Sequence, residues 1–382
     1  MSQTLPPVPS LEPLPLKSWG NDDLLLRPAG REAFAREDGL SFRVLDWPEL
    51  RERFQVHDRR ANAAKKRSRR LGLTSVILAG FGSAALALAP LLPKLALTPL
   101  LPKGIETIGI SIGLAATVAG IGAGLWHLFQ RNGKAHWLYD RTWTERLRQF
   151  YFQDVLMHFD DALLAMRGDV ALAAYRQRRT AALEAVVRRL TRDLSNSDGI
   201  DNDHTLEDAW LDRDAALPAV PADGGARADD ADRLLKRLRQ QRLEIQGHYV
   251  NVNQVSHPFA PHVRKGWLAA TGDIATALVA LLAVAGGVAL LAGQTDLSGI
   301  LLALMGAVGA VGLMTRLLDS GLRDRVEAER YDWYRAAIER AMMRFDAGDR
   351  AGKIAVLREF EETSYQELRQ FLRSHRNDRF FG

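Results

Sequence analysis

The chain of 382 residues contains no cysteine, which excludes disulfides, thiolate metal sites and cysteine nucleophiles. Charged residues are also unevenly distributed along the chain. Asp, Glu, Lys and Arg make up 25% of the chain, but four windows are nearly free of them while the intervening segments are dense in charge. This segregation is typical of a membrane protein with large water-facing parts.

A signal-peptide core is missing as well. Residues 1–70 contain no apolar run of the required length, and residues 2–16 are polar and rich in proline. We therefore expect the N-terminus to be retained in the cytosol.

The four windows predict transmembrane helices, because about 20 apolar residues cross the hydrocarbon core of a bilayer as a helix. They are Leu71–Leu92, Thr107–Phe129, Ile274–Ala292 and Leu297–Thr315. The alternative, buried helices of a soluble core, is disfavoured because such helices rarely form two adjacent pairs with basic flanks. The sequence predicts an all-α integral membrane protein whose four transmembrane helices form two hairpins.

Lys and Arg concentrate at the outer flanks of these pairs. Residues 59–70 hold seven basic residues and no acid, whereas the loops within the pairs contain only Lys94 and Lys103 as bases. Since cytoplasmic flanks carry the excess of Lys and Arg, both termini are predicted to be cytoplasmic. The formal net charge of +5 is then expected to face anionic lipid, with no nucleic-acid partner.

Small residues recur within the spans at spacings of three or four, which lets helix backbones approach closely in lipid. Both packing inside one hairpin and packing between subunits fit this pattern. The candidate helix-packing or pore residues are Ser75, Ala79, Ser83, Gly109, Gly113, Gly120, Gly124, Gly306, Gly309 and Gly312.

Asp273 lies at the predicted cytoplasmic edge of span three, two turns beyond Lys265. This position favours an interfacial carboxylate over a pore-lining one, and Asp273 is kept as a pore candidate. The middle of each span contains no Asp, Glu, Lys or Arg. That absence disfavours an ion-coupled transporter and is compatible with a weakly polar or hydrophobically gated pore.

Outside the spans, the apolar spacing is typical of long cytoplasmic amphipathic helices. Within Tyr139–Asp193, alternating spacings of four and three predict a coiled-coil seam, whose partner is either another helix of the chain or a second subunit. The seam comprises Phe152, Leu156, Phe159, Leu163, Met166 and Val170.

These elements divide the chain into four segments. They are a proline-rich, partly disordered N-terminal segment (1–49), a first two-span unit (50–193), an acidic flexible linker (194–232) and a second two-span unit (233–382). Tyr139-Asp140 recurs as Tyr331-Asp332, and both units share one order of parts. We interpret the two units as a duplication.

Motifs for chemistry are missing too. No Walker loop, GxSxG elbow, HExxH helix or dinucleotide fingerprint occurs, and the nine histidines are scattered. We predict no enzymatic activity, no metal site and no cofactor.

The helices around the spans resemble those of the SLATT superfamily (SMODS and SLOG-associating two-transmembrane effector domain). Leu50–Gly72 and Leu234–Gln254 are similar to its lead-in helices, and Trp137–Phe152, Glu327–Phe345 and Phe360–Leu372 to its post-hairpin helix. Members are bacterial proteins built on a two-span hairpin with a following cytoplasmic helix. Many carry one hairpin, whereas this chain carries two.

The resemblance implies a membrane effector of a bacterial antiviral system, located in the inner membrane, that oligomerises, opens a pore and depolarises the infected cell. Its expected partners are the lipid bilayer, further copies of itself and a cytosolic sensor or second-messenger-producing protein. A membrane-anchored scaffold that recruits a cytosolic partner through its helices is the alternative. A transporter is a third, weaker hypothesis.

Overall fold

The computed structural model describes residues 22–94, 105–129, 131–195, 208–211, 228–254, 261–322 and 324–376. Throughout these ranges the regular structure is helical, as the sequence predicts. The α-helices are α1 (Pro28–Glu37), α2 (Gly39–Leu45), α3 (Pro48–Leu88), α4 (Ile105–Phe129), α5 (Arg131–Met157), α6 (Phe159–Arg167), α7 (Asp169–Ser195), α8 (Ala228–Arg239), α9 (Ile245–Gln254), α10 (Pro261–Leu291), α11 (Thr295–Leu322), α12 (Asp324–Ala347) and α13 (Arg350–Arg376). A 3₁₀ turn follows α3, and a π-helical turn joins α8 to α9.

Four of these helices, α3, α4, α10 and α11, contain stretches long and apolar enough to cross a membrane, which confirms the four candidate spans. The 41 residues of α3 extend about 60 Å, twice the thickness of a hydrocarbon core. Its apolar part begins at Leu71, so Lys65 and the residues before it lie outside that part. Below, "the apolar bundle" means α4, α10, α11 and the part of α3 from Leu71; "the head" means the other described residues.

Within the apolar bundle, α3 packs along α4 and α10 packs along α11, while α3 also contacts α11. The outward faces carry large apolar side chains. Among the most exposed are Phe81, Ile112, Leu281, Val284 and Leu291, with Leu291 at 91%. An apolar surface of this extent requires a lipid or protein partner, since water solvates it poorly.

The head has two hydrophobic clusters, a large and a small one, and both halves of the sequence contribute to each. Leu50 and Leu147 of the first half lie in the same cluster as Leu234, Ile338 and Phe360 of the second, and all are almost completely buried. The two predicted units therefore share their main packing outside the apolar bundle. Their boundaries stay sequence predictions.

The predicted helix over 139–193 is interrupted twice. His158 (φ −117°, ψ 41°) and Gly168 (φ −100°, ψ 122°) leave helical geometry and separate α5, α6 and α7. The first five apolar residues of the predicted seam are buried in the core of the head, but Val170 is 87% exposed. A continuous coiled-coil seam is thus wrong for this stretch, because the spacing arises from two successive helices that turn their faces toward one intrachain core.

Two segments predicted to be loosely ordered dock on the head where the structure describes them. Residues 22–49, from the N-terminal segment, contain α1 and α2, and the Tyr151 hydroxyl donates to the Leu45 carbonyl at 2.6 Å. In the acidic linker, Leu211 is buried and its N–H donates to Gln153 at 3.1 Å. Residues 1–21, 196–207 and 212–227 of these segments lie outside the described residues.

Candidate functional site

The contact between α3 and α4 involves three of the candidate glycines, two of them against backbone and Gly124 against a side chain. A Cβ atom built on Gly120 would lie 2.4 Å from the Ala79 backbone nitrogen, and the Ser75 hydroxyl donates to the Gly120 carbonyl at 2.8 Å. Gly113 faces Leu86 in the same way, and Gly124 faces Ser75. The small residues therefore bring α3 and α4 together within one chain. Gly109 and Ser83 are half-buried.

Gly82 is an α3 residue that sequence reasoning missed. A Cβ on Gly82 would approach the Thr117 backbone nitrogen to 2.5 Å. Gly82 lies in the same apolar stretch as Ser75, Ala79 and Ser83. The four-residue spacing that identified those residues does not include it.

The candidate glycines of α11 serve two contacts. A Cβ on Gly312 would lie 2.9 Å from the Ala275 Cβ of α10, and one on Gly309 would lie 3.8 Å from Val279. Gly306 faces α3 instead, where a Cβ would lie 3.2 Å from Ala87. Small residues thus also join the first predicted pair of spans to the second.

Asp273 is exposed on α10 and does not face the neighbouring apolar helices. Near the same end of the bundle, Arg316 of α11 donates to the Thr276 hydroxyl at 2.8 Å. Both the interfacial and the pore-lining interpretations of Asp273 stay predictions.

Directly below the bundle, the head contains a cluster of buried and half-buried charged side chains that we call the ionic core. Its members come from six parts of the chain that are distant in the sequence, so sequence periodicity did not reveal it. They are Asp23, Lys65, Arg141, Glu145, Arg148, Arg242, Glu327, Arg330, Glu361 and Glu367.

Ion pairs connect these residues across helices. Arg148 bridges Asp23 at 2.9 Å and Glu145 at 2.6 Å, so it ties α5 to the N-terminal segment. Arg242 contacts Glu361 of α13 through two hydrogen bonds of 2.5 and 3.0 Å. Buried pairs of this kind add little net stability, but removal of one partner is costly.

The pKa values of the carboxylates in the ionic core are shifted in different directions. Burial opposes ionisation of Glu145, but Arg141 and Arg148 outweigh it and lower its pKa to about 2. For Asp23 and Glu361 burial dominates, and the pKa of each is raised even though Arg148 or Arg242 lies beside it.

A central cavity of about 100 Å³ lies within the ionic core. Its wall is built from α3, α5, α9, α12 and α13 together with the π-helical turn. A second cavity of about 320 Å³ adjoins it and shares Asn62, Arg141, Arg148 and Tyr249 with it. The arrangement offers a polar, charged chamber between the two halves of the chain.

No metal-binding cluster occurs among the His, Asp and Glu residues that the structure describes. Comparison of the chain with protein-family models, curated proteins and solved structures returned no match.

Proposed function

We propose that the chain is a multi-pass effector of a bacterial inner membrane, with two transmembrane hairpins and a cytoplasmic head, that opens a pore between copies of itself. The observation that carries this proposal is the close packing of the apolar helices. Where Gly120 meets Ala79 the backbones leave no room even for a methyl group, so α3 and α4 of one chain enclose no channel. Conduction then requires helices from more than one chain.

The outward surface of the bundle supports assembly in lipid. Gly287 of α10 has open space around it, and the neighbouring Val284 also faces outward, with 68% of its surface exposed. Small residues at the lipid-facing surface of a helix allow another helix to approach closely. The resemblance to SLATT effectors supports the same mechanism.

Single cysteines test the proposed topology, because the native chain has none to react in the background. A membrane-impermeant maleimide applied to intact cells is expected to label Gln294→Cys, between α10 and α11, but to label Val170→Cys in the head only after permeabilisation. Both positions are exposed. Labelling of Val170→Cys in intact cells would place the head outside and refute the proposed orientation.

Membrane integrity tests the pore itself. Induced expression of the full chain, together with its neighbouring genes, is expected to collapse the membrane potential and admit an impermeant dye. Gly287→Leu is expected to reduce dye entry by blocking close approach, whereas Val284→Leu, at a position that already carries a side chain, serves as the control. If potential and dye exclusion persist at full membrane expression, the pore proposal fails.

A scaffold is the second candidate, and one surface of α12 favours it. Val326, Trp333 and Met343 are 38–48% exposed on one side of that helix in the head. Apolar side chains outside the bundle are typical of a protein-binding surface. An intact membrane in the dye experiment would favour this function.

A further inference from the structure

The wall of the central cavity carries more positive than negative side chains. Its cationic residues are Lys65, Arg141, Arg148, Arg242 and Arg330; its carboxylates are Glu145, Glu327 and Glu367. Asp23 and Glu361, which offset Arg148 and Arg242, do not belong to that wall. The wall itself therefore holds five cationic side chains and three carboxylates, with Asp23 and Glu361 paired to Arg148 and Arg242 behind it.

Lys65 receives the least compensation among these cations. Its nearest favourable charge is Glu327, which already pairs with Arg330 at 2.6 Å and faces His375 at 3.7 Å. Burial, with the repulsion of Arg141, Arg69 and Arg330, lowers the pKa of Lys65 to about 8. An anion in the cavity would stabilise the charged lysine.

A second donor in the wall lacks a partner. Arg330 Nε is buried and has no hydrogen-bond acceptor among the described residues. A buried donor of this kind requires an explanation such as an ion or water in the adjoining space. It adds a directed contact to the excess of charge.

The cavity also lies where every apolar helix enters or leaves the head. Lys65 precedes the apolar part of α3, Arg141 belongs to the helix after α4, Tyr249 to the helix before α10, and Arg330 to the helix after α11. A ligand that contacts these residues would therefore contact a segment next to each of the four apolar helices.

We propose that the central cavity binds a small dianion of the phosphate monoester class, with the phosphate held by Lys65 and the surrounding arginines and the rest of the molecule in the adjoining cavity. The volume of about 100 Å³ suits one phosphate group, and arginine guanidiniums match its geometry. The adjoining cavity is larger and reaches exposed side chains such as Asn62. On the proposed function this site regulates the pore.

Inorganic phosphate is the probe, added to the full chain in detergent and followed by calorimetry and by thermal unfolding. Phosphate is expected to bind and raise the midpoint, whereas chloride at equal ionic strength is not. Lys65→Met is expected to weaken phosphate binding by about tenfold or more, as loss of one close charge pair does. Because Lys65 is poorly compensated in the empty cavity, this variant should remain as stable as the native chain without phosphate.

Lys66→Met is the matched control, since it removes the same charge from the adjacent, exposed position. It should bind phosphate as the native chain does. Equal binding of phosphate and chloride, or unchanged binding by Lys65→Met, would overturn the proposal. Because the assay requires no conduction, its outcome is separate from that of the pore experiment.

Discussion

Gly120→Leu is expected to destabilise the folded chain by about 3 kcal/mol or more, at the upper end of the cost of overpacking a core. The reason is the contact of Gly120 with backbone, since a Cβ there would lie 2.4 Å from the Ala79 nitrogen. Backbone cannot rotate aside as a side chain can. The α3 and α4 helices must therefore separate, which also breaks the hydrogen bond from Ser75. Unfolding of the purified protein in mixed micelles measures the loss.

Gly122→Leu is the matched control for this substitution. Gly122 lies two residues away on α4 and has nothing within 4 Å of a built Cβ. The two variants gain the same apolar side chain and the same change in helix propensity, so only the helix contact differs. Equal stability of the two variants would show that α3 and α4 do not pack through Gly120.

Arg242→Met is expected to cost about 3–5 kcal/mol of stability, because it leaves the buried Glu361 without its cation. Burial already raises the pKa of Glu361 in the native chain, and loss of Arg242 removes the charge that lowers it most. Arg242 also lies over the rings of Phe152 and Phe360, at 4.8 and 5.4 Å from their centroids. Chemical denaturation at several pH values measures the effect.

The pH dependence identifies the cause. A carboxyl whose folded-state pKa is raised binds more protons folded than unfolded, so its contribution to stability is present below the unfolded pKa and is lost as the pH rises through the folded pKa. The penalty in Arg242→Met should thus be smaller near pH 5 than near pH 8. The double variant Arg242→Met/Glu361→Gln should recover most of the loss at pH 8.

An exposed ion pair supplies the comparison. Arg344 and Glu359 form a bidentate pair on the surface, with side chains 59% and 55% exposed. Arg344→Met should change stability little, since water and salt screen exposed pairs. A penalty for Arg242→Met as small as that for Arg344→Met would mean that Glu361 is hydrated where it lies in the ionic core.

The ionic core shows why part of this molecule could not be predicted. Arg148 and Asp23 are 125 positions apart, and nothing near either residue in the sequence distinguishes it from a solvated charge. Likewise, the spacing of Phe152 to Met166 fits one long seam, although α5 and α6 turn at His158 toward a core built by both halves. Such pairings depend on contacts between distant segments, which a local pattern does not encode.

The glycines at the helix contacts could be predicted in part, because their spacing is a local pattern. Gly113, Gly120 and Gly124 were found because a short side chain at a helical spacing has one main use in an apolar helix, namely close approach. Gly306 was predicted in the same way, but only the structure showed that it faces Ala87 of α3. Gly82, which faces Thr117, was found only in the structure.

The absence of charge from four windows, with which the sequence began, determined by itself that the chain has four helices able to cross a membrane. Helix length and hydropathy are local properties, and each apolar window satisfies its backbone hydrogen bonds within itself. Only the tertiary structure decided that the two halves share one head, that glycines bring α3 and α4 into close contact, and that a cavity lined by charged side chains lies in the head. Those features arise from burial of side chains by residues far away in the sequence, and burial is decided when the helices pack.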